Sequence, residues 1–374
     1  MKIAIDISQI VYGTGVSFYT RNLVKALARI DKKNDYILFG SSLRLKNILQ
    51  EFAAEVKKIN KNFNSKIISF PPTLAEILGN KFRFLPVEKL IGKIDVFHSS
   101  DWTQPPTKAA KVTTIHDFGF MRHPNVSHPK IAAVMKRRLA LVKNECDLII
   151  AVSETTKKDA VKLLEIPTKK IRVVYEAAFE DFKRASKKEV EQVKKKYKIK
   201  GKYLLCVATL EPRKNFKRII KAFSRFESDN PEFSLVIVGK FGWGDIESSN
   251  IKYQISNIKF TGYVPSEDLP GLYSGASCLV YPSLYEGFGF PILEAFVCGC
   301  PVLTSNISSM PEVAGKAAVL VNPLDTDDIA RGIKEAIEKR ERLIKAGLNQ
   351  VKQFSWEKAA KETLKIYEEA TGQK

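Results

Sequence analysis

Ser283-Leu284-Tyr285-Glu286-Gly287-Phe288-Gly289-Phe290-Pro291-Ile292-Leu293-Glu294-Ala295 follows, after Pro282, on the apolar run Cys278 to Tyr281. Read in order, this is a buried strand, a turn built on two glycines and the start of a helix, the corner of a βα unit. Glycines at 287 and 289 let the backbone approach a ligand closely. A helix beginning after them turns unpaired N–H groups and a positive dipole end toward anionic or hydroxyl oxygens. Glu286 falls on the turn and Glu294 one or two helical turns in. A strand-turn-helix corner carrying two solvated glutamates is the competing reading.

The same rhythm extends outward from that corner. Strands at Tyr203 to Leu210, Ser234 to Gly239, Ile258 to Thr261, Cys278 to Tyr281 and Pro301 to Thr304, with a helix from Asn215 to Phe226, give one parallel sheet. Lys2 to Ile7, Tyr36 to Phe39, Asp95 to His98, Lys111 to Ile115 and Asp147 to Val152, with a helix around Thr20 to Ala28, give a second. The expected class is therefore α/β, with two doubly wound, Rossmann-like domains facing a central cleft, because open parallel sheets take ligands at the carboxyl ends of their strands. The expected divisions are a first domain over 1–180, a basic linker and helix over 181–202, a second domain over 203–354 and a terminal helix over 355–374. A chain of 374 residues suits two domains of roughly 150 to 200 residues each.

Hydrophobic residues at 44% supply two sizeable cores. The formal charge of +20, from 61 Lys and Arg against 41 Asp and Glu, attracts phosphates, nucleic acid and anionic bilayers alike. A nucleic-acid- or polyanion-binding protein is one alternative, but helix-turn-helix, zinc and RNA-binding signatures are missing and the basic residues are spread along the chain, so no specific nucleic-acid partner is expected. No apolar run approaches the length of a spanning helix, and Asp6 interrupts the only early apolar stretch. The expected location is cytoplasmic, with peripheral contact on the inner face of the cell membrane. Cys146, Cys206, Cys278, Cys298 and Cys300 sit in apolar contexts as reduced, packed thiols, and no companion cluster completes a metal site, so no metal is expected.

Other candidate residues fall at strand ends. Arg213 and Lys214, in Glu211-Pro212-Arg213-Lys214-Asn215, are adjacent cations before a helix, suited to neutralising a diphosphate. Gly239 ends one strand and Gly262-Tyr263-Val264 follows another, as ligand loops or as ordinary strand-ending glycines. His116 closes Lys111-Val112-Thr113-Thr114-Ile115, either as a functional group facing the cleft or as a satisfied structural histidine; His98 is the less specific second case. Tyr12-Gly13-Thr14-Gly15-Val16-Ser17 links the first strand to a helix without matching a dinucleotide fingerprint. Pro129 to Lys143, with Lys130, Lys136, Arg137, Arg138 and Lys143 among apolar residues, reads as a basic amphipathic helix that lies on anionic lipid or packs on the sheet.

Together these residues resemble the retaining glycosyltransferases of family 4, whose E-x7-E motif is matched by Glu286 and Glu294. The wording Ala208-Thr209-Leu210-Glu211-Pro212-Arg213-Lys214-Asn215 and Tyr281-Pro282-Ser283-Leu284-Tyr285-Glu286-Gly287-Phe288-Gly289 is similar to that of polysaccharide mannosyltransferases. The resemblance spans nearly the whole chain and implies a GT-B fold whose last helix crosses back to the first domain. It implies Glu286 at the donor sugar, Gly287, Phe288, Gly289 and Phe290 around sugar hydroxyls or phosphate, and Glu294 on ribose hydroxyls. Lys214 then meets the diphosphate, the loops at Gly239 and Val264 line the base, Gly15 lies against donor phosphate and acceptor, and His116 is the second catalytic candidate beside Glu286. Two positions depart from the pattern: Thr209 replaces an Arg five residues before Lys214, leaving Arg213 as its substitute, and Ser17 stands where many members have a second glycine.

The implied activity is metal-independent transfer of a hexose, mannose preferred, with no cofactor. The donor is a nucleoside diphosphate sugar, GDP-mannose preferred and a UDP sugar the alternative. The acceptor is a glycan or lipid-linked glycan in cell-surface polysaccharide or glycolipid synthesis. The sequence shows no second carboxylate near Glu286 for a double displacement, and the resemblance implies reaction on the same face of the sugar through an ion-pair-like transition state. A catalytically silent sugar-nucleotide-binding module would lack Glu286, Lys214 or His116, and all three are present.

Overall fold

In the computed structural model, which describes residues 1–124, 129–242 and 257–372, the apolar runs become strands of two parallel sheets. Two compact units result, one from Met1–Met121, Ser127–Glu176 and Ser355–Lys374, the other from Arg122–Val126 and Ala177–Phe354.

The first sheet contains β1 (Lys2–Asp6), β2 (Asp35–Ser41), β3 (Phe63–Ile68), β4 (Val96–Ser99), β5 (Ala110–Ile115), β6 (Leu148–Ala151) and β7 (Ile171–Val173), in the order β3-β2-β1-β4-β5-β6-β7. Neighbours pair in parallel, as Ile3 with Tyr36 and Ile3 with Val96 illustrate. All four residues of β4 and of β6 are buried, and β6 accordingly reads as an unbroken apolar run, while β4 buries His98 and Ser99 beside Val96 and Phe97. The helix Gly15–Ile30 follows β1, and the terminal helix Trp356–Ala370 packs on it, burying Trp356, Ala359, Ala360 and Tyr367.

The second sheet contains β8 (Lys202–Val207), β9 (Phe233–Val238), β10 (Ile258–Gly262), β11 (Cys278–Tyr281), β12 (Val302–Ser305) and β13 (Val319–Val321), in the order β10-β9-β8-β11-β12-β13. The helix Phe216–Glu227 buries Phe216, Ile219, Ile220, Phe223 and Phe226, a spacing of three and four residues that places one face on the sheet. With Leu204, Leu235, Ile237, Val280 and Leu303 they form the core of this unit.

In each sheet the strand order reverses once, between β1 and β4 and between β8 and β11. Loops leaving the carboxyl ends of the two strands at such a switch point diverge and leave a crevice, the usual place for a ligand in a doubly wound sheet. Gly15 follows β1, and the Arg213-Lys214 and Glu286 loops follow β8 and β11.

Candidate functional site

The loop after β8 passes Glu211 and makes a single 3-10 turn, Pro212–Lys214. The helix expected from Asn215 begins at Phe216 instead, because Asn215 takes a left-handed conformation with φ +65°. Its side-chain amide donates to the carbonyls of Pro282, at 3.0 Å, and Pro323, at 2.7 Å. Asn215 therefore ties the cation turn to the loop after β11 and to the loop after β13. The main-chain N–H of Leu284 donates to the Arg213 carbonyl at 2.9 Å, adding a backbone tie between the same two loops.

The two cations of that turn meet one carboxylate. Lys214 Nζ lies 2.6 Å from Glu286 Oε1, and Arg213 Nη1 lies 2.7 Å from Glu286 Oε2. Tyr281 Oη donates to Glu286 Oε1 at 2.8 Å. Arg213 also holds Glu211 at 2.7 Å and donates to the Tyr285 carbonyl at 2.7 Å. Glu286 is 6% exposed and Glu294 5%, so neither is a solvated surface glutamate. Burial works against the charge of Glu286, but Arg213 and Lys214 outweigh it and hold its carboxyl down at about 2. Burial and the neighbouring guanidinium lower the Lys214 ammonium, against the pull of Glu286.

Serines from the loop after β12 fix the glycine turn. Ser308 Oγ accepts from the Glu286 N–H at 3.1 Å and donates to the Glu286 carbonyl at 2.6 Å. Ser309 Oγ lies 2.9 Å and 2.8 Å from the carbonyls of Glu286 and Phe288, to which it donates. Gly289 has φ +112°, a conformation a side chain would strain, and caps the helix Phe290–Val297. Four residues into that helix Glu294 accepts from Tyr273 Oη at 2.6 Å. Burial raises its carboxyl to about 7, the Tyr273 bond only partly opposing the rise.

Gly239 directly follows β9 with φ +146°, where a Cβ would stand 1.9 Å from the Ala208 carbonyl oxygen. Only glycine fits there, whatever else the loop contacts. Gly262 ends β10 with φ +71°, and Val264 beyond it is buried.

The remaining candidates lie in the first unit. His116 Nδ1 is 3.3 Å from Glu176 Oε1, and the Tyr19 ring stands edge-on to the imidazole with 4.7 Å between centroids. Burial pushes the His116 imidazole toward its neutral form, but Glu176 and Asp101 reverse that, leaving its pKa raised. His98 is the contrasting case: it bonds Tyr367 Oη at 2.7 Å and Thr114 Oγ1 at 3.0 Å, and burial lowers it to about 3. It is a neutral structural histidine that anchors the terminal helix. Gly15 is the first residue of its helix, and Ser17 Oγ accepts from the Thr14 N–H at 3.2 Å while donating to the Gln9 carbonyl at 2.6 Å. Those bonds require a hydroxyl where a glycine could offer none.

The helix Pro129–Glu145 corrects the reading of Arg138 as a surface cation. That guanidinium is 1% exposed, 3.3 Å from Asp101, and donates to Thr113 Oγ1 at 2.8 Å and the Thr114 carbonyl at 3.0 Å. Arg137 pairs with Glu76 at 2.9 Å, while Lys130 and Lys136 are exposed. Among the described residues no helix is long and apolar enough to cross a membrane.

Residues that sequence reading passed over include Tyr281, Tyr273, Ser308, Ser309 and Glu176. Tyr281 lies in a quoted stretch without being singled out, and Tyr273, Ser308 and Ser309 meet the glutamates of the second unit across 21 to 23 positions of sequence.

A family model described as Glycosyltransferase Family 4 matches residues 13–177, and one described as Glycosyl transferases group 1 matches residues 187–353. O-antigen chain mannosyltransferase B of Escherichia coli is 32% identical over 391 aligned positions, covering 98% of this chain and 99% of that protein. Sucrose-phosphate synthase from Thermosynechococcus elongatus superposes with a TM-score of 0.74 at 18% identity, covering 99% of this chain and 98% of that one. Anabaena HepE, solved in complex with UDP and glucose, gives 0.70 at 16% identity and covers 98% of each chain. At such identities the two structures speak to the fold alone.

Proposed function

The chain belongs to the group 1 glycosyl transferases, with a GT-B fold, and on that premise we propose that it transfers mannose from a nucleoside diphosphate sugar to a glycan or lipid-linked acceptor, with retention and without a metal. The observation that carries this reading is the convergence of Arg213 and Lys214 on Glu286 at the carboxyl ends of β8 and β11. Adjacent cations on a rigid turn, one strand away from a glycine-capped helix, suit a diphosphate, and they can neutralise it as it leaves. Glu286, held charged, is suited to accept hydrogen bonds from donor-sugar hydroxyls. Glu294 is the candidate partner of the ribose, and Gly287, Phe288, Gly289 and Phe290 line the sugar. The loops at Gly239 and Val264 are the candidate base wall. In the first unit, Gly15 and His116 are the candidates for the acceptor side and the reaction centre.

The preference for mannose is supported by the full-length Escherichia coli relative named as a mannosyltransferase, and GDP-mannose is accordingly the preferred donor. The test is calorimetric titration of GDP, UDP and ADP and their sugar conjugates, in EDTA, into wild type and Lys214→Ala. One nucleoside diphosphate that binds wild type in chelator and is lost in the variant is the expected result. Polyanions binding alike, with salt removing them all, would leave the proposal without support. The anomeric configuration of the product, read by NMR, decides retention.

A further inference from the structure

A second hollow in the first unit has a different chemistry. A cavity of about 110 Å³ opens at the carboxyl ends of β1, β2 and β3, walled by Phe39, Ile68, Phe70, Leu78 and Leu85. Its polar lining is confined to Asp6, Ser41 and Thr103, and the Asp6 oxygens are already taken: Ser8 donates to one from its N–H at 2.9 Å, and Thr103 Oγ1 donates to the other at 3.2 Å. A sugar placed there would find few partners for its hydroxyls, whereas a hydrocarbon loses nothing. Asp6 also lines an adjoining hollow that contains Gln9, Asp101 and His116, so the apolar cavity shares a wall with the candidate reaction side of this unit.

The segments that supply the lining are apolar on their exposed positions too, and cationic. The segment that walls the cavity with Ala75, Leu78 and Leu85 exposes Leu74, Ile77, Phe82 and Phe84, the last two at 61% and 63%. The loop after Ser41 exposes Leu43 and Leu45 on either side of exposed Arg44, and exposed Lys81 precedes Phe82. Apolar side chains interleaved with cations complement an amphiphile that joins a hydrocarbon chain to a phosphate.

We propose that this cavity takes the alkyl or isoprenoid chain of a lipid-linked acceptor, whose phosphate is met by Arg44 and Lys81 on the segments that flank the lining. The inference rests on the glycosyl-transfer reading above, and narrows its acceptor to a lipid whose chain is held by the protein itself.

Titration of the full chain with geranyl monophosphate, beside inorganic phosphate, tests this directly. Burying a methylene is worth about fourfold in affinity, so geranyl phosphate should bind at least about tenfold tighter than phosphate. Ala75→Phe, which fills the cavity, should abolish that preference while GDP and UDP bind as in wild type; Leu90→Phe replaces it if Ala75→Phe does not melt cooperatively. Equal binding of the two phosphates by wild type, or an undiminished preference in the filled variant, overturns the proposal. So does displacement of geranyl phosphate by phosphatidylglycerol vesicles, since the surface would then be a general bilayer contact. Failure of every nucleotide to bind would instead count against the donor reading, independently of the chain.

Discussion

Lys214 and Tyr281 share a single acceptor, Oε1 of Glu286, at 2.6 Å and 2.8 Å, while Arg213 takes the other oxygen. The carboxylate is thus held by the cation turn and by the last residue of β11 before any ligand arrives, and its charge and the cation turn hold each other in place. Lys214→Ala leaves a nearly buried carboxylate short of one counter-charge and is expected to destabilise the fold by about 3 kcal/mol. Glu286→Gln removes the charge yet keeps an oxygen for Tyr281. It should retain nucleoside diphosphate affinity, because Lys214 loses its counter-charge while Arg213 stays positioned by Glu211, and lose turnover by about 100-fold or more. Calorimetry and initial rates on both variants decide it, and a Glu286→Gln protein with normal turnover would remove Glu286 from the donor sugar.

Acid should weaken that pairing. The folded carboxyl of Glu286 at about 2 lies below its ordinary 4.5, so its contribution is present above pH 4.5 and is lost as pH falls from there through 2. Relative to Glu286→Gln, wild type should lose about 3 kcal/mol over that window. Chemical denaturation of both proteins between pH 5 and pH 2 measures the difference, and parallel curves would contradict the pairing.

Glu294 carries the opposite sign. Burial raises it from 4.5 to about 7, so the stability it permits is complete below pH 4.5 and declines as pH rises through 7. Glu294→Gln keeps an acceptor for Tyr273 and cannot ionise. The variant should gain on wild type in melting temperature between pH 5 and pH 8, yet bind the nucleotide about tenfold more weakly at pH 8 if its carboxylate receives the ribose hydroxyls. A difference in melting temperature that does not change with pH would show that Glu294 ionises without cost.

The alternation of strand and helix was legible because strands buried on both faces are unbroken apolar runs, as at β8, β9 and β11. Three strands left no such trace. β3 is an edge strand whose Asn64, Ser65 and Lys66 face solvent, and β7 and β13 are three residues long. At the site, Glu286, Arg213 and Lys214 stood out because backbone geometry and charge coincide in short motifs. Their partners did not: Tyr281 ends a strand like any apolar residue, and Ser308 lies 22 positions from the carboxylate turn it clamps. Arg138 shows the reverse error, since a cation within a basic run looks solvated until the threonines and aspartate that enclose it are seen together.

His116 should titrate through Glu176. The buried glutamate, helped by Asp101, is what lifts the imidazole against its own burial, with Arg138 opposing. Glu176→Gln should therefore move the His116 titration toward acid, and any limb of the pH–rate profile that His116 sets should move with it. The NMR shift of the His116 ring against pH reads the first and kcat/KM the second. An unmoved ring titration would mean that Asp101 alone holds the charge.

Two glycines test how far loop geometry, rather than ligand contact, constrains the sequence. Gly239 and Gly13 both have positive φ, +146° and +63°, but a Cβ at Gly239 would collide with the Ala208 carbonyl at 1.9 Å, while one at Gly13 would meet nothing within 4 Å. Gly13→Ala should cost only the left-handed strain, about 1 kcal/mol. Gly239→Ala must push β8 and β9 apart at their carboxyl ends, where Ala208 donates to the Val238 carbonyl at 3.0 Å, and should cost about 3 kcal/mol or more. Because the cation turn begins four residues beyond Ala208, nucleotide affinity should fall with it even where the protein still folds. Denaturant midpoints and nucleotide titrations on the two variants separate the effects; equal costs would mean that the strand ends relax around a methyl group, and that Gly239 is kept for something other than packing.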